Sequence, residues 1–285
     1  MITHLNLPYN QSSPSSSNPP HPRHIVDVYL PDDHDVKPPQ GLIVFIHGGA
    51  WRTSSSQDPT LDDLPRGILP QQFALALPNY RLSDQPEDKI EGKRKVLHPD
   101  HVLDCRMAVE WLVRTGAGGL INEKTKENVW LMGHSAGAHI IAHFLLETPS
   151  IAPIPADIRS TIKGFFFSET ITDIDALVEE YPDYQEWFIT SAFGPPPYLT
   201  SSPSHPSSPY ALPPSSSLQE YRIMISHSKA DTLVSTSQPI ALASRLAALG
   251  LKVEVFTDED IGEHDEVLKD ARFGQRVRQW VGVDV

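Results

Sequence analysis

The sequence predicts an α/β fold, with a mostly parallel central sheet and helices on both faces. Three observations predict it. Apolar runs of strand length alternate along the chain with segments of helical spacing. One run, "GLIVFIHGG" (Gly41–Gly49), is continuously apolar and rich in β-branched residues, as a strand covered on both faces is. The chain also has 285 residues, 39% hydrophobic and 21% charged, enough for one substantial core.

Residues 1–22 are rich in Ser, Pro and Asn, and a disordered, low-complexity N-terminus is expected there. Residues 23–285 are expected to form a single domain. Its first strand is "HIVDVYL" (His24–Leu30), where apolar and polar residues alternate. The Gly41–Gly49 run follows, then "FALALPNYRL" (Phe73–Leu82), a strand ending in a turn. "HPDHVLDCRMAVEWLVRTG" (His98–Gly116) sets Val102, Cys105, Val109 and Leu112 on one helix face. Pro99 and Asp100 suit its start, Asp100 as a cap, and Gly116 suits its end.

A buried strand, "NVWLM" (Asn128–Met132), then runs through "GHSAGAH" into helical "AHIIAHFLLE" (Ala138–Glu147). "IKGFFFS" (Ile162–Ser168) reads as a strand and "ITDIDALVEEY" (Ile171–Tyr181) as a helix. Residues 194–217 are a Pro/Ser-rich insertion without apolar periodicity, read as a surface excursion. The pattern resumes with strand Tyr221–Ser228, helix Gln238–Leu249, strand Lys252–Phe256 and a last helix from about Asp265 to Trp280.

Composition excludes several functions. A net charge of −13 repels phosphate backbones, so no nucleic-acid partner is expected. One cysteine, Cys105, rules out an intrachain disulfide and any Cys-rich metal site. No apolar run is long enough for a bilayer, and the N-terminal stretch lacks the order of a secretory signal. A soluble, reducing, cytoplasmic setting without a membrane partner is expected.

Parallel sheets place their sites beyond the carboxyl ends of the strands. Four such ends carry chemistry here: "HGGAW" (His47–Trp51), "GHSAG" (Gly133–Gly137), "KADTLV" with Asp231, and "TDEDIGEHDE" with His264. A serine needs an adjacent base to act as a nucleophile, and histidine has the right basicity. The imidazole needs a carboxylate to fix its tautomer, and the developing oxyanion needs backbone N–H donors. Ser135, His264 and Asp231 are therefore the candidate nucleophile, base and orienting acid. Ser135 would occupy a strained elbow, with Gly133 and Gly137 relieving crowding. Ala136 follows the serine and is the first oxyanion donor. Asp258, Glu259, Asp260, Glu263, Asp265 and Glu266 are rival acids, but Asp231 occupies the usual loop after the preceding strand. The acidic stretch brings no second histidine in regular spacing, so no metal and no cofactor are expected. His139 and His143 read as structural.

"HGGAW" followed by "GHSAGAH" resembles the kynurenine formamidase (arylformamidase) family of the α/β-hydrolase fold, whose characteristic motif is H-G-G-x-W. Related hormone-sensitive-lipase-like esterases carry a third glycine where this chain has Ala50. The ordering of elements extends the fold resemblance from about His24 to the C-terminus. It implies hydrolysis of N-formylkynurenine to kynurenine and formate, on the route from tryptophan towards nicotinamide cofactors. It also implies that His47–Trp51 form the oxyanion loop, with the amides of Gly49 and Ala50 as donors and Gly48 the alternative to Ala50. A homodimer and a small-molecule substrate are further expectations of the resemblance. Trp51 either packs in the core or walls the acyl side, where a narrow site would suit a formyl group. Tyr198 and Tyr210 in the insertion are candidates to cover an aromatic ring. The alternative functions are a small-acyl carboxylesterase and a non-catalytic hydrolase-fold binder, the latter opposed by the complete triad.

Overall fold

The run singled out above forms a central strand, β3 (Leu42–Ile46), with all five residues buried. The computed structural model describes residues 1–10, 21–64, 70–86, 94–148, 151–196, 207–213 and 220–283. Along β3, Leu42, Val44 and Ile46 enter one core while Ile43 and Phe45 enter another. This two-sided burial is why the run is apolar throughout.

Among the described residues, eight strands form one sheet in the order β1-β2-β4-β3-β5-β6-β7-β8. The others are β1 (Ile2–Pro8), β2 (Ile25–Leu30), β4 (Ala74–Pro78), β5 (Val129–His134), β6 (Ile162–Ser168), β7 (Arg222–Ser226) and β8 (Val253–Phe256). β2 runs antiparallel to β1 and β4, and every later pair is parallel. Helices α1 (Asp100–Gly119), α2 (Glu123–Lys126), α3 (Ala136–Leu145), α4 (Ala156–Thr161), α5 (Ile174–Glu180), α6 (Thr190–Phe193), α7 (Ser237–Ala248) and α8 (Ala271–Val281) complete the fold. The core with Val44 takes in α1, α3, α5 and α7, and the core with Phe45 takes in α8. This is the mostly parallel α/β arrangement that the sequence predicts. No helix among the described residues is long and apolar enough to cross a membrane.

Backbone pairing continues one residue past three strands. Ser135 N–H donates to Ser168 O (2.9 Å), Glu169 N–H to Ser226 O (3.1 Å) and His227 N–H to Phe256 O (2.8 Å). The residues just beyond the strands are thereby held in register.

Several expectations are corrected. The N-terminus does not begin disordered: Ile2–Pro8 pairs with β2 as an edge strand. An edge strand is held by its ladder hydrogen bonds and needs little apolar content. Buried Tyr9 anchors it by donating to Asn79 O at 2.7 Å. Residues 11–20, the Ser/Pro centre of that segment, lie outside the described residues. The insertion is not wholly a surface excursion either. Ser208 and Leu212 are buried. The Ser208 hydroxyl accepts from Ile174 N–H (2.9 Å), and Ser207 O accepts from His139 Nε2 (2.7 Å). Neighbouring elements thus satisfy its polar groups, which apolar periodicity does not register. Tyr210 is there, 41% exposed; Tyr198 is outside the described residues.

Smaller differences have local causes. α1 starts after Pro99, with Asp100 inside the helix, and turns left-handed at Gly116 (φ 60°). The last helix begins later than expected. Residues Glu266–Lys269 form a 3-10 turn, and α8 starts afresh where the Asp270 side chain accepts from Arg272 N–H at 2.8 Å.

Candidate active site

Ser135 stands between β5 and α3 at φ 54° and ψ −120°. A non-glycine residue held there costs about 1–3 kcal/mol, sustained only where the surroundings fix it. The neighbours do fix it. A Cβ on Gly137 would run into the carbonyl of Ile46, and one on Gly133 into the carbonyl of Gly137. A Cβ on Gly48 would come within 3.1 Å of Ser135 Cβ. The two motif glycines thus allow the helix to start tight against β3, and Gly48 lets its own loop pass the serine.

The loop after β3 is left-handed at Gly49 (φ 89°), Ala50 (φ 51°) and Trp51 (φ 58°) in succession. Arg52 N–H (3.0 Å) and Thr53 N–H (2.9 Å) close it onto Gly49 O. His47 braces the loop from below. Its ring stacks on Tyr80 at 4.4 Å, and its Nδ1 donates to Gly48 O at 2.9 Å. The Tyr80 hydroxyl reaches both His47 O (3.1 Å) and Gly48 O (3.0 Å). Burial lowers the His47 pKa to about 4, so its ring is neutral.

The loops after β7 and β8 bring Asp231 and His264 together. His264 Nδ1 donates to Asp231 Oδ2 at 2.7 Å, while Asp231 Oδ1 accepts from Leu233 N–H (2.8 Å) and Val234 N–H (3.0 Å). Burial opposes ionisation of Asp231, but the His264 bond and its charge prevail and hold the carboxyl well below the usual range. Three of the rival acids have other partners. Glu259 pairs with Arg276 (3.0 Å), Glu263 accepts from Thr232, and Asp265 meets His134.

Ser135, His264, Gly49 and Ala50 line one cavity of about 230 Å³. Ala136 is the first residue of α3, fully buried beside the serine. Gly48 lines a smaller neighbouring cavity with His134 and Asp265. A larger cavity, about 610 Å³, opens near Tyr221 and Lys252, and none of the motif residues line it. The arrangement can bring a hydroxyl, an oriented imidazole and a glycine-rich backbone to one bound carbonyl group.

Residues 26–182 match the family model BD-FAE. Kynurenine formamidase of Meyerozyma guilliermondii is 29% identical over 244 residues, covering 85% of this chain and 85% of that one. Kynurenine formamidase of Eremothecium gossypii is 30% identical over 246 residues, covering 81% and 88%. The chain belongs to the kynurenine formamidase family. Its α/β-hydrolase fold is shared with solved structures of low identity. Esterase B of Lactobacillus rhamnosis aligns with TM-score 0.69 and 15% identity over 99% of this chain and 85% of that one. A putative thioesterase of Silicibacter aligns with TM-score 0.63 and 21% identity over 99% and 84%.

In this member of the kynurenine formamidase family, the tryptophan of H-G-G-x-W is core. Trp51 has no exposed surface, so it does not wall the cavity. It packs edge-on against His139 (4.9 Å) and Phe193 (4.8 Å), and its ring lies 6.1 Å from that of Phe188, which lines the cavity.

Sequence reasoning missed the cavity's aromatic wall and the layer behind Asp231. Tyr184, Trp187 and Phe188 reach the cavity from the turn of π-helix at Gln185–Ile189. Behind Asp231, fully buried Glu169 shares a hydrogen bond with the Asp231 carboxyl. It also accepts from Ser228 N–H at 3.1 Å and meets His227 Nδ1 at 3.1 Å. Burial, then the neighbouring Asp231 charge, pushes the Glu169 carboxyl far above the ordinary range, so it carries a proton. The available signal was position: Glu169 directly follows β6, another strand end.

Proposed function

We propose that this chain is a serine hydrolase that cleaves N-formyl-L-kynurenine to L-kynurenine and formate, in tryptophan catabolism towards NAD. The observation carrying this reading is His264, held by Asp231 at 2.7 Å, lining one cavity with Ser135 and the Gly49–Ala50 loop. The aromatic side chains of Tyr184, Trp187 and Phe188 on the same cavity suit an arylamine leaving group.

Ser135 Oγ attacks the formyl carbon as His264 takes its proton. The C=O π pair moves to oxygen, and the amides of Ala136, Gly49 and Ala50 receive the charge, with Gly48 in place of Ala50 as the alternative. Asp231 stabilises the imidazolium through Nδ1. His264 then protonates the aniline nitrogen, the C–N bond breaks, and kynurenine leaves a formyl ester on Ser135. Water, deprotonated by His264, attacks that ester and releases formate, returning the proton to Ser135.

A second reading, a small-acyl carboxylesterase of the hormone-sensitive-lipase-like type, is favoured by one observation. Trp51 leaves the cavity wall to other residues, so it does not restrict the acyl side to a formyl group. Steady-state kinetics on N-formylkynurenine and p-nitrophenyl acetate, with Ser135→Ala as control, separate the two. The formamidase reading expects a higher kcat/KM on the formamide and a kcat loss on the order of 10⁴ in the alanine variant. A higher kcat/KM on the ester selects the esterase, and an unimpaired Ser135→Ala removes both.

A further inference from the structure

We infer that His134, His264 and Asp265 form a binding site for a divalent transition-metal ion of the Zn²⁺ class, and that its occupation reversibly blocks the hydrolase. The acidic loop after β8 offers a single histidine in sequence. The fold supplies a second, His134, from the end of β5. One nitrogen from each ring and one Asp265 oxygen lie within 4.8 Å of one another. His134 Nε2 is 3.2 Å from Asp265 Oδ1, and the His134 and His264 imidazoles lie 4.9 Å apart between ring centres, tilted by 51°. Two imidazoles and a carboxylate, with room for a further ligand, are a donor set zinc accepts.

The layer behind these donors is also that of a metal site. Ligating histidines characteristically use their other ring nitrogen on a carboxylate, carbonyl or similar partner. His264 Nδ1 is held by Asp231 at 2.7 Å, leaving Nε2 as its available donor. His134 Nδ1 lies 3.1 Å from Ser168 Oγ. A hydroxyl can donate or accept, so His134 can shift its proton to Nδ1 and present the Nε2 lone pair without net proton release. Entry is open, because the Asp265 side chain is 59% exposed and borders the cavities reaching both histidines. The other cluster of donors, Glu169, His227 and Asp231, is wholly buried, with Glu169 accepting from Ser228 N–H and His227 Nε2 donating to Val234 O.

Inhibition rests on the proposed role of His264 as base: a metal ion on Nε2 occupies the lone pair that would take the Ser135 proton. The test has two arms. Zn²⁺ binding is measured by calorimetry on the full-length Ser135→Ala protein, which keeps all three donors and needs no turnover. Zn²⁺ inhibition of p-nitrophenyl acetate hydrolysis is measured on wild type, His134→Gln and Asp265→Asn, each relative to its own zinc-free rate, with thermal melts. Binding near one ion per chain is expected. So are inhibition reversed by EDTA and a half-inhibitory concentration raised at least about tenfold in either folded variant. The two variants back each other should one fail to fold. Absence of binding in Ser135→Ala, or equal sensitivity of a folded variant and wild type, overturns the proposal. If the wild type hydrolyses neither substrate, the catalytic reading fails while calorimetry, with the same donor substitutions added to Ser135→Ala, still decides the site.

Discussion

The carboxyls of Glu169 and Asp231 share a hydrogen bond in the interior, directly behind His264. Two acids so close cannot both ionise. Asp231, bound to His264, keeps the charge, and Glu169 keeps the proton.

That division has a thermodynamic sign. The folded pKa of Glu169 is raised above its unfolded value. Its contribution to stability is complete below the unfolded carboxylate pKa and is lost as pH rises from there towards the folded value. A glutamine in its place carries no such titration, and the new amide can donate to Asp231 while its oxygen accepts from Ser228 N–H. Urea denaturation of wild type and Glu169→Gln should show the variant gaining relative stability from pH 5 to pH 8. A gap independent of pH would mean that Glu169 is ionised in the fold.

Asp231→Asn should keep the fold and lower kcat on the order of 10⁴, because an amide can hold His264 in the wrong tautomer. Kinetics with a circular-dichroism control checks this. Near-native kcat in a folded variant would remove Asp231 from the mechanism.

Trp51→Ala is expected to act on stability. Deleting a buried indole costs ~3–5 kcal/mol, and Trp51 packs on His139 and Phe193 rather than on the cavity. Melting temperature should fall, while the ratio of butyryl-ester to formamide kcat/KM stays near wild type where the protein is folded. Phe188→Ala, at the cavity itself, is the substitution expected to shift that ratio. A large selectivity change in Trp51→Ala alone would return the tryptophan to the acyl wall.

Acid should weaken the fold well above the carboxylate range. Burial lowers His47, His139 and His227 to about 4 and His101 to about 3. For a histidine depressed in the folded state, stability is complete above the unfolded value of 6.5 and is lost as pH falls through the window down to the folded pKa. Each contributes on the order of 1 kcal/mol per pH unit within that window. In the Glu169→Gln background, where the opposing titration of Glu169 is gone, denaturation midpoints should be nearly level from pH 8 to 7 and drop steeply from 6.5 to 4. Level midpoints across the lower range would show these imidazoles charged within the fold.

The central strands and the elbow could be read from sequence because both depend on local pattern. β3 is a continuous apolar run, β6 carries three successive buried phenylalanines, and Gly133 and Gly137 flank Ser135 at the spacing its turn requires. β1 escaped notice because an edge strand is defined by a partner, here β2, rather than by its own side chains. Glu169 and His134 escaped for a related reason. Each gains its meaning from a residue many positions away, Asp231 for one and Asp265 for the other. The aromatic wall sits on a short π-helical turn with no periodicity to announce it.

The amides of Ser135, Glu169 and His227 each hang from the next strand, prolonging the sheet beyond its regular ends. This half of the site has no separate hinge. Its amide protons should exchange with deuterium only through openings as large as that of the central sheet itself. Heat should therefore not soften the serine's platform in advance: enzymatic turnover and the far-ultraviolet signal of the sheet should disappear at one temperature.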